Sequence, residues 1–596
     1  MLGKIRIVAA FLLASVTTAG NTTFINNDGF GQVALLPYYN VNNNIITNIN
    51  ITNTTNLFKV VKVRFHEPRI SAKVFDANLY LSPHDVWNGT IRLNPATGVP
   101  NLITEDESCT LPEKSQLQAG IDFTNIYDAV TNDDMTEGYI EIIEMGVIAD
   151  GPEGQASDSD KYAEIDTTGI ADGVISNGDR SITAGLLHGP DGLPADCSVV
   201  QDAWTAGQVD NSINGFEPGA LSSEGIATSS AIDDPYDSAL NAGLVYESSD
   251  RGGINAYAIM INVTDGAAFV VQGTHIDDYA TRPQHYTLED LYGFQLPSLA
   301  SGDVTQAHML DNNRGIKTTG LLSLTEWDTG SVYDITPNPS TPMGSNPFPV
   351  AVTLSADAIA APYFIETAIN GSTEIVATFP MRKHGIYNGS YLFDEVDRNT
   401  SDCDGNVNDG IDDGSTVVIP NTGVIVHDYP IIDGVFCENA GYTSSTTDVQ
   451  VSLNYYDYEE GNATFTTEVV GSPLPLDEIP EIVALERGVN VIRVHRDDGT
   501  TTSVLGTPTN NIFNWQPESG FVAGWVKILM PYYDYNNDQR ISSMSEAIGG
   551  INSHGSGYWT GVPIIGFSVM AADVGPAQIG ETVDLIRFVN HNSPDP

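Results

Sequence analysis

Short runs in which apolar and polar residues alternate recur along the chain, separated by turns rich in Gly, Asn and Asp. In IITNINIT (45–52), for example, Ile45, Ile49 and Ile51 fall on one side of an extended chain. A period of two is that of a half-buried β-strand. Further strands are predicted at 58–65, 77–82, 138–145, 255–263, 449–456, 489–495, 521–530 and 562–570. We therefore predict an all-β chain of two or more Ig-like or jelly-roll-type antiparallel β-sandwiches, with long acidic loop insertions and little helix.

One strand pattern is written twice. GYIEII (138–143) and GWVKIL (524–529) share the order Gly, aromatic, β-branched, charged, Ile, aliphatic. Each run therefore predicts a half-buried strand, one in an N-terminal and one in a C-terminal sandwich of related plan. The branched residues that share a face are Ile140 with Ile142, and Val526 with Ile528.

The length of 596 residues exceeds what one hydrophobic core usually serves, so several units are expected. A short helix, interrupted at Pro362, is predicted within 353–367. The predicted organisation is a signal peptide (1–19), an N-terminal sandwich (20–150), a Gly-, Asp- and Ser-rich acidic insertion (151–250), a middle β-rich region with the short helix (251–396), an acidic disulfide-bridged insertion (397–447) and a C-terminal sandwich (448–596).

The first residues have the pattern of a secretory signal peptide. Lys4 and Arg6 precede the apolar run 7–16, and the small residues 17–19 form a cleavage site. Later apolar runs are shorter than the roughly 20 residues that a membrane-spanning helix needs. We expect a secreted or cell-surface protein, with the periplasm as the alternative, and no transmembrane segment after signal removal.

Acidic residues dominate the charge. The chain has 24 Lys and Arg against 77 Asp and Glu, which gives a formal net charge of −53. Such a surface repels nucleic-acid phosphates and anionic lipids. It favours cations, or a salty medium that screens the repulsion.

The four cysteines suit an oxidising compartment. We predict the bridges Cys109–Cys197 and Cys403–Cys437, while the cross pairings stay open. The cysteines and histidines lack the spacing of a zinc site.

Several stretches resemble a family of uncharacterised exported proteins of Gram-negative bacteria. The resemblance is carried by GFGQVALLPYYNV, KVVKVRF, NLYLSPHDVW, GYIEIIEMG, PADCSVV, VATFPMRKHG, VAGWVKI and GVPIIGFSV. It implies export and names no activity. The strand GWVKI with PIIGF is also similar to Ig-like modules of bacterial surface proteins, which bears on the fold alone.

Two acidic stretches are candidate calcium sites, because calcium takes six to eight oxygen ligands. The stretch 402–413 departs from the EF-hand register, and its alternative interpretation is a solvated loop held by Cys403. In the stretch 534–546, Gln539 stands where an EF-hand has Gly and Ser545 stands at its last ligand position, so a polar turn is the alternative. The candidate ligands are Asp402, Asp404, Asn406, Asn408, Asp409, Asp412, Asp413, Asp534, Asn536 and Asp538.

Basic and aromatic residues allow two interpretations each. The cations Lys59, Lys62, Arg64, Arg69 and Lys73 predict an exposed strand edge protected by charge. The alternative is a contact with an acidic insertion of a neighbouring subunit. The candidates for sugar stacking are Trp87, Trp525 and Trp559, although a sandwich usually buries Trp in its core.

Sequence motifs of catalysis are missing. The chain has no G-x-S-x-G, H-E-x-x-H or P-loop pattern. His84-Asp85 and His427-Asp428 are interpreted as ordinary surface or packing pairs. We therefore predict no catalytic residues, and a structural or adhesive protein that self-assembles into a filament, surface layer or matrix with calcium. Its partner is then itself or a surface glycan; the alternative is a secreted carbohydrate-binding protein or glycan hydrolase.

Overall fold

The computed structural model describes about half of the chain in long ranges. These are 22–124, 130–148, 185–197, 250–281, 283–284, 297–304, 348–356, 358–382, 449–457, 487–496, 503–508, 512–517, 520–530, 562–574 and 577–588, joined by the further short strands given below. In these ranges the α-helices are Lys114–Ala119 (α1) and Phe348–Leu354 (α2). The all-β prediction is confirmed. Among the described residues no helix has the length and apolar character needed to cross a membrane.

The first fourteen strands build an N-terminal sandwich. They are β1 (Phe24–Ile25), β2 (Val33–Asn40), β3 (Ile45–Asn53), β4 (Lys59–His66), β5 (Lys73–Leu81), β6 (Val86–Leu93), β7 (Pro100–Ile103), β8 (Cys109–Leu111), β9 (Ile121–Asp122), β10 (Glu137–Ile148), β11 (Leu244–Val245), β12 (Ile254–Asn262), β13 (Ala267–Gln272) and β14 (Thr274–Asp277). Sheet I has the order β1-β14-β2-β10-β4-β5-β8, with β11 beside β10. Sheet II has the order β13-β12-β3-β6-β7-β9.

The two sheets differ in how many faces are buried. Every residue of β2, β4 and β10 is buried, so the centre of sheet I is covered on both faces. In β3, β12 and β13 buried residues alternate strictly with more exposed ones. Sheet II is therefore covered on its inner face alone, which is the pattern of an antiparallel sheet at a domain surface.

The remaining strands lie in the second half of the chain. They are β15 (Gln306–Ala307), β16 (Leu322–Ser323), β17 (Ser355–Ala356), β18 (Ala358–Phe364), β19 (Ser372–Thr378), β20 (Ile386–Tyr387), β21 (Ser390–Tyr391), β22 (Thr416–Val418), β23 (Ile425–His427), β24 (Val449–Asp457), β25 (Asn462–Thr464), β26 (Val483–Leu485), β27 (Val489–Val494), β28 (Ile512–Trp515), β29 (Ala523–Leu529), β30 (Tyr532–Asp534), β31 (Gln539–Ile541), β32 (Val562–Pro563), β33 (Ile565–Val574), β34 (Ala577–Asp584) and β35 (Ile586–Phe588).

Two of their sheets form the C-terminal sandwich. Sheet III has the order β25-β24-β29-β18-β35, with β26 beside β24, and sheet IV has the order β28-β27-β19-β33-β34. All pairs are antiparallel except β27 with β28. Between the sheets lies a core centred on Trp515, whose ring meets Tyr363 and Tyr455 edge-on at centroid distances of 5.3 and 5.2 Å.

The hydrophobic core of the N-terminal sandwich extends onto sheet IV of the C-terminal sandwich. Val376, Val491 and Phe567 of sheet IV belong to the same buried cluster as the facing sides of sheets I and II. Hydrogen bonds cross the same junction: Asn40 donates its Nδ2 to Leu505 O (2.5 Å), and Thr378 donates its Oγ1 to Pro37 O (2.7 Å). The described parts of the two sandwiches therefore pack directly against each other.

The repeated strand pattern is confirmed in part. GYIEII lies in β10 and GWVKIL in β29, and in both the branched residues face a core as predicted. β29 is half-buried. β10 is buried on both faces, so the half-buried prediction is wrong there. The outer face of sheet I is covered by other parts of the chain, which the alternation within β10 does not reveal.

The middle region differs from the predicted organisation. Strands β12 to β14 join the N-terminal sandwich, whereas β18 and β19 join the C-terminal one. Residues 358–364, placed in the predicted helix, form a strand instead, and α2 ends earlier, at Leu354. Pro362 is tolerated in β18 because β35 pairs only with residues 358–360, so no neighbour requires the missing N–H.

The predicted bridge Cys109–Cys197 is present, with a Cα–Cα distance of 5.3 Å. It holds the segment 185–197 against sheet I, where Leu186 packs with Val60 and Met145. The other predicted bridge, Cys403–Cys437, lies outside the described residues.

Candidate interaction surface

The outer side of sheet II presents a set of side chains that we call the neutral face. It consists of the outward positions of its strands β13, β12, β3 and β6. The fifteen residues, three from β13 and four from each of the others, are Ala268, Val270, Gln272, Asn255, Tyr257, Ile259, Ile261, Ile46, Asn48, Asn50, Thr52, Val86, Asn88, Thr90 and Arg92.

Charge is almost missing from this face. Arg92, at the end of β6, is the one charged residue among the fifteen, in a chain with a net charge of −53. Soluble proteins normally place charged residues on their exposed surfaces. The exception here covers four adjacent strands, which makes it a property of the face and not of one position.

Amide and hydroxyl groups line the β3–β6 half of the neutral face. Asn48 donates to Thr90 Oγ1 (3.1 Å), and Asn50 donates to Asn88 Oδ1 (3.0 Å). Thr52 in turn donates to Asn50 Oδ1 (2.9 Å). Two of these bonds cross from β3 to β6 and the third lies within β3; together they hold the side chains in one orientation, so the face is preorganised for contact.

Apolar side chains line the β12–β13 half. Ile259 lies directly between Asn48 of β3 and Val270 of β13 in the strand register, and Val270 is 42% exposed. Tyr257 stands opposite Asn50, with Ile261 and Ile46 at the other end. Together these side chains make a partly exposed apolar stripe beside the amide stripe.

Buried groups hold the strands of the neutral face in place. Trp87 lies on the inner side of β6, and Gly89 is required next to it because a Cβ there would come within 2.2 Å of the indole. His275 Nε2 accepts a hydrogen bond from the N–H of Ala256 (3.0 Å). Burial lowers the pKa of His275 to about 4, so the ring stays neutral and can accept.

The predicted basic edge is wrong. β4 lies between β10 and β5 in the middle of sheet I, and Lys59, Lys62 and Arg64 are at most 1% exposed. Their charges are met inside the sheet, because β10 and β5 supply carboxylates. Lys59 Nζ lies 2.5 Å from Glu144 Oε1.

Two further carboxylates serve the same strand. Lys62 lies 3.7 Å from Asp76, while Arg64 and His66 lie 3.9 and 3.3 Å from Glu141. Arg64 also donates to Pro297 O (2.6 Å). The cluster thus has internal partners and a structural explanation.

One described Ser–His–Asp group has the wrong geometry for hydrolysis. His188 Nδ1 lies 3.0 Å from Ser82 Oγ and 4.0 Å from Asp85 Oδ2. A catalytic triad needs the serine and the aspartate on different ring nitrogens, and here both face the same one. His84, beside Asp85, sits in a turn with φ of 57°.

The candidate calcium ligands lie mostly outside the described residues. This holds for the whole stretch 402–413 and for Asn536 and Asp538. Asp534 ends β30, which pairs with β31. Within the described part of the chain no group of three or more His, Cys, Asp or Glu side chains is placed to hold a metal.

The candidate tryptophans that the structure describes differ in exposure to solvent. Trp87 is buried in the core, as a sandwich predicts. Trp525 is 39% exposed, and Tyr456 of the adjacent strand stacks on it at a centroid distance of 4.1 Å, which occupies one ring face. Trp559 lies outside the described residues.

Comparison of the chain with family models, with curated proteins and with solved structures gave no match. The resemblance to exported Gram-negative proteins therefore stays a prediction. Sequence reasoning missed the neutral face, although its signal was readable: the outward positions of 45–52 and 255–261 contain no charge.

Proposed function

We propose that this protein is an exported structural or adhesive protein of the bacterial cell surface, and that the neutral face is its working contact surface. The observation that supports the proposal most is the fifteen-residue outer face with a single charge. The predicted signal peptide supports export. The acidic remainder of the chain keeps the protein soluble and excludes nucleic acid as a partner.

A contact surface must lose its water at small cost. Uncharged amides and aliphatic side chains meet that condition, whereas carboxylates at the same positions would carry a large desolvation cost. Partly exposed apolar groups such as Val270 and Val86 then contribute to binding when they are covered. A neutral, partly apolar sheet face on a rigid sandwich is therefore suited to binding a flat partner.

Retention of the mature full-length protein on cells of the source bacterium tests this function. We expect the double variant Asn50→Asp/Asn88→Asp to be released into the medium, because it places two negative charges on the neutral face. The matched control is Asn454→Asp/Ile369→Asp, which adds the same charge to the C-terminal sandwich, away from the neutral face. Equal retention of wild type, face variant and control would refute the proposed working surface.

Calcium forms a second part of the proposal. The carboxylates of 402–413 repel one another unless a cation lies between them. Light scattering of the mature protein with and without millimolar calcium tests this. Growth into large particles with calcium supports calcium-dependent assembly, and calorimetry without any calcium binding would remove the ion from the proposal.

Surface glycans are the rival partner. Trp87, one of the predicted stacking residues, is in the core and does not serve this role. If added soluble glycans, prepared from the cell envelope, release the wild-type protein from cells, the carbohydrate-binding alternative is favoured over self-assembly.

A further inference from the structure

We propose that the partner of the neutral face is a second copy of this chain, whose own neutral face packs against it around a twofold axis. The proposal rests on the function proposed above and adds the identity of the partner. It follows from the charge of the chain, the chemistry of the outward side chains and the area of the face.

Charge restricts where two copies can meet. Each carries −53, so most pairs of surfaces bring carboxylates together at close range. Like charges that face each other across an interface cost several kcal/mol and slow the encounter. The outward side chains include one charge, Arg92, at one end of β6. The carboxylates of Asp85 and Asp106 border the same strand, where they accept from the N–H groups of Val86 (2.9 Å) and Asn88 (3.1 Å), so the repulsion between two such faces is confined to β6.

The side chains are self-complementary. At a twofold interface the same patch lies on both sides, so each group must pair with its own kind or with a neighbour. An asparagine amide carries both donors and an acceptor, and a threonine hydroxyl does the same, whereas ionised carboxylates only accept. When the twofold axis crosses the strands along the row of Asn50 and Asn88, these two residues meet their own copies. The Ile and Val stripe then meets its own copy as an apolar contact, and Asn48 meets Thr52.

The geometry suits sheet-on-sheet packing. Two sheets pack about 10 Å apart with interdigitating side chains when their facing residues are of moderate size. Ile, Val, Thr and Asn fill most of the fifteen positions, and their orientation is fixed by the bonds from Asn48 to Thr90 and from Asn50 to Asn88.

The area predicts a weak dimer. Four strands spaced about 4.8 Å apart, with a rise of about 3.3 Å per residue, cover roughly 500 Å² per copy, hence about 1,000 Å² in the pair. That is the lower limit for a specific interface, so we expect a dissociation constant in the micromolar range. On a cell surface, where many copies stand side by side, such a contact is sufficient for assembly because local concentration is high.

Sedimentation equilibrium of the mature full-length protein, from nanomolar to high micromolar concentration, tests the proposal. We expect a monomer–dimer equilibrium for wild type. Asn50→Asp and Asn50→Lys are each expected to weaken it by at least about tenfold, because a twofold axis brings two like charges together. The control Asn454→Asp should leave it unchanged.

Mixing the two variants gives the sharpest result. Asn50→Asp and Asn50→Lys should form mixed dimers with affinity restored to within a few-fold of wild type, because opposite charges now face each other. A mixture that stays monomeric would overturn the proposal. So would a dimer dissociation constant that neither Asn50→Asp nor Asn50→Lys changes. Unchanged thermal unfolding of each variant shows that folding is intact.

The result also separates this inference from the proposed function. If wild type is monomeric throughout while the Asn50→Asp/Asn88→Asp variant is still released from cells, the working surface stands and its partner is not a second copy. If wild type is monomeric and that variant is retained, both proposals fall.

Discussion

Two regions of the N-terminal sandwich distribute charge in opposite ways. The outer side of sheet II, partly exposed to solvent, carries one charge in fifteen residues. Strand β4 of sheet I, fully buried, carries Lys59, Lys62, Arg64 and His66 in eight residues. Both arrangements reverse the usual rule that charge is outside and neutral residues are inside.

The difference lies in the partners. Every one of the four buried basic side chains on β4 has a carboxylate within 4 Å, supplied by β5 or β10. The cluster is thus balanced within its own sheet, and the fold explains it. The neutral face is exposed at Val270 and Val86, and among the described residues nothing comparable explains its low charge. For this reason we assign the function to the neutral face and a structural role to the buried cluster.

The largest expected loss of stability comes from removing the disulfide that links the segment 185–197 to sheet I. The bridge Cys109–Cys197 spans 88 residues, and a loop of that length predicts a loss of roughly 4–5 kcal/mol when both cysteines become alanine. Denaturant unfolding measures this. A loss below about 1 kcal/mol would contradict this prediction and would mean that the bridge restricts the unfolded chain far less than a loop of this length implies.

Breaking one buried ion pair should have the next largest effect. Glu144→Gln leaves the Lys59 ammonium buried without its carboxylate, which is expected to cost roughly 3–5 kcal/mol. The amide keeps an acceptor for the N–H of Gly252.

The double variant Lys59→Met/Glu144→Gln is the matched control for this change. It removes the uncompensated charge, so it should unfold at a higher denaturant concentration than Glu144→Gln. If the double variant is the less stable of the two, uncompensated charge is not the reason for the loss.

Strand periodicity predicted much of the fold. The alternation in 45–52 marked β3, and the pairs Ile140/Ile142 and Val526/Ile528 were placed on the correct faces. The helix at 353–367 was wrong, because a run of alanines with one proline suits a helix and a small-residue strand equally well. The strand is possible because Pro362 has no partner on the β35 side of β18. That pairing depends on residues far away in the sequence.

The candidate site was less readable for a related reason. A basic strand is interpreted as a protected edge when its neighbours in the sheet are unknown. The carboxylates of Glu144 and Glu141 that neutralise β4 lie on β10, about 80 residues further along the chain. The neutral face required the pairing of β3 with both β12 and β6 before its side chains became one surface. Sequence alternation gives the faces of single strands, whereas a surface is made by non-local pairing.

A smaller effect, dependent on pH, is expected at the end of β4. Glu67 is buried and accepts from the N–H groups of Arg69, Ile70 and Ala72 at 2.6, 3.0 and 2.7 Å. Burial nevertheless raises its pKa from 4.5 to about 7. Between these values the folded state binds more protons than the unfolded state, so its stability falls as pH rises through this window.

The variant Glu67→Gln isolates this dependence. As pH rises through the window between 4.5 and about 7, the free energy of unfolding of wild type should fall by about 3 kcal/mol relative to that of the variant. The measurement is the free energy of unfolding of both proteins across pH 5 to 8. Parallel curves would mean that the carboxyl of Glu67 is already ionised at the lower pH.

The smallest effect on stability is expected on the neutral face. Thr90→Asp keeps an acceptor for Asn48 and adds a solvent-facing charge, so the free energy of unfolding of the dilute monomer should change by less than about 0.5 kcal/mol. The same substitution should suppress dimer formation. This contrast with Glu144→Gln is the direct consequence of the two charge distributions, since one charge change is made in a covered sheet and the other on an open one. A loss above about 2 kcal/mol for Thr90→Asp in the monomer would mean that another part of the same chain covers the neutral face, and the partner would then be internal.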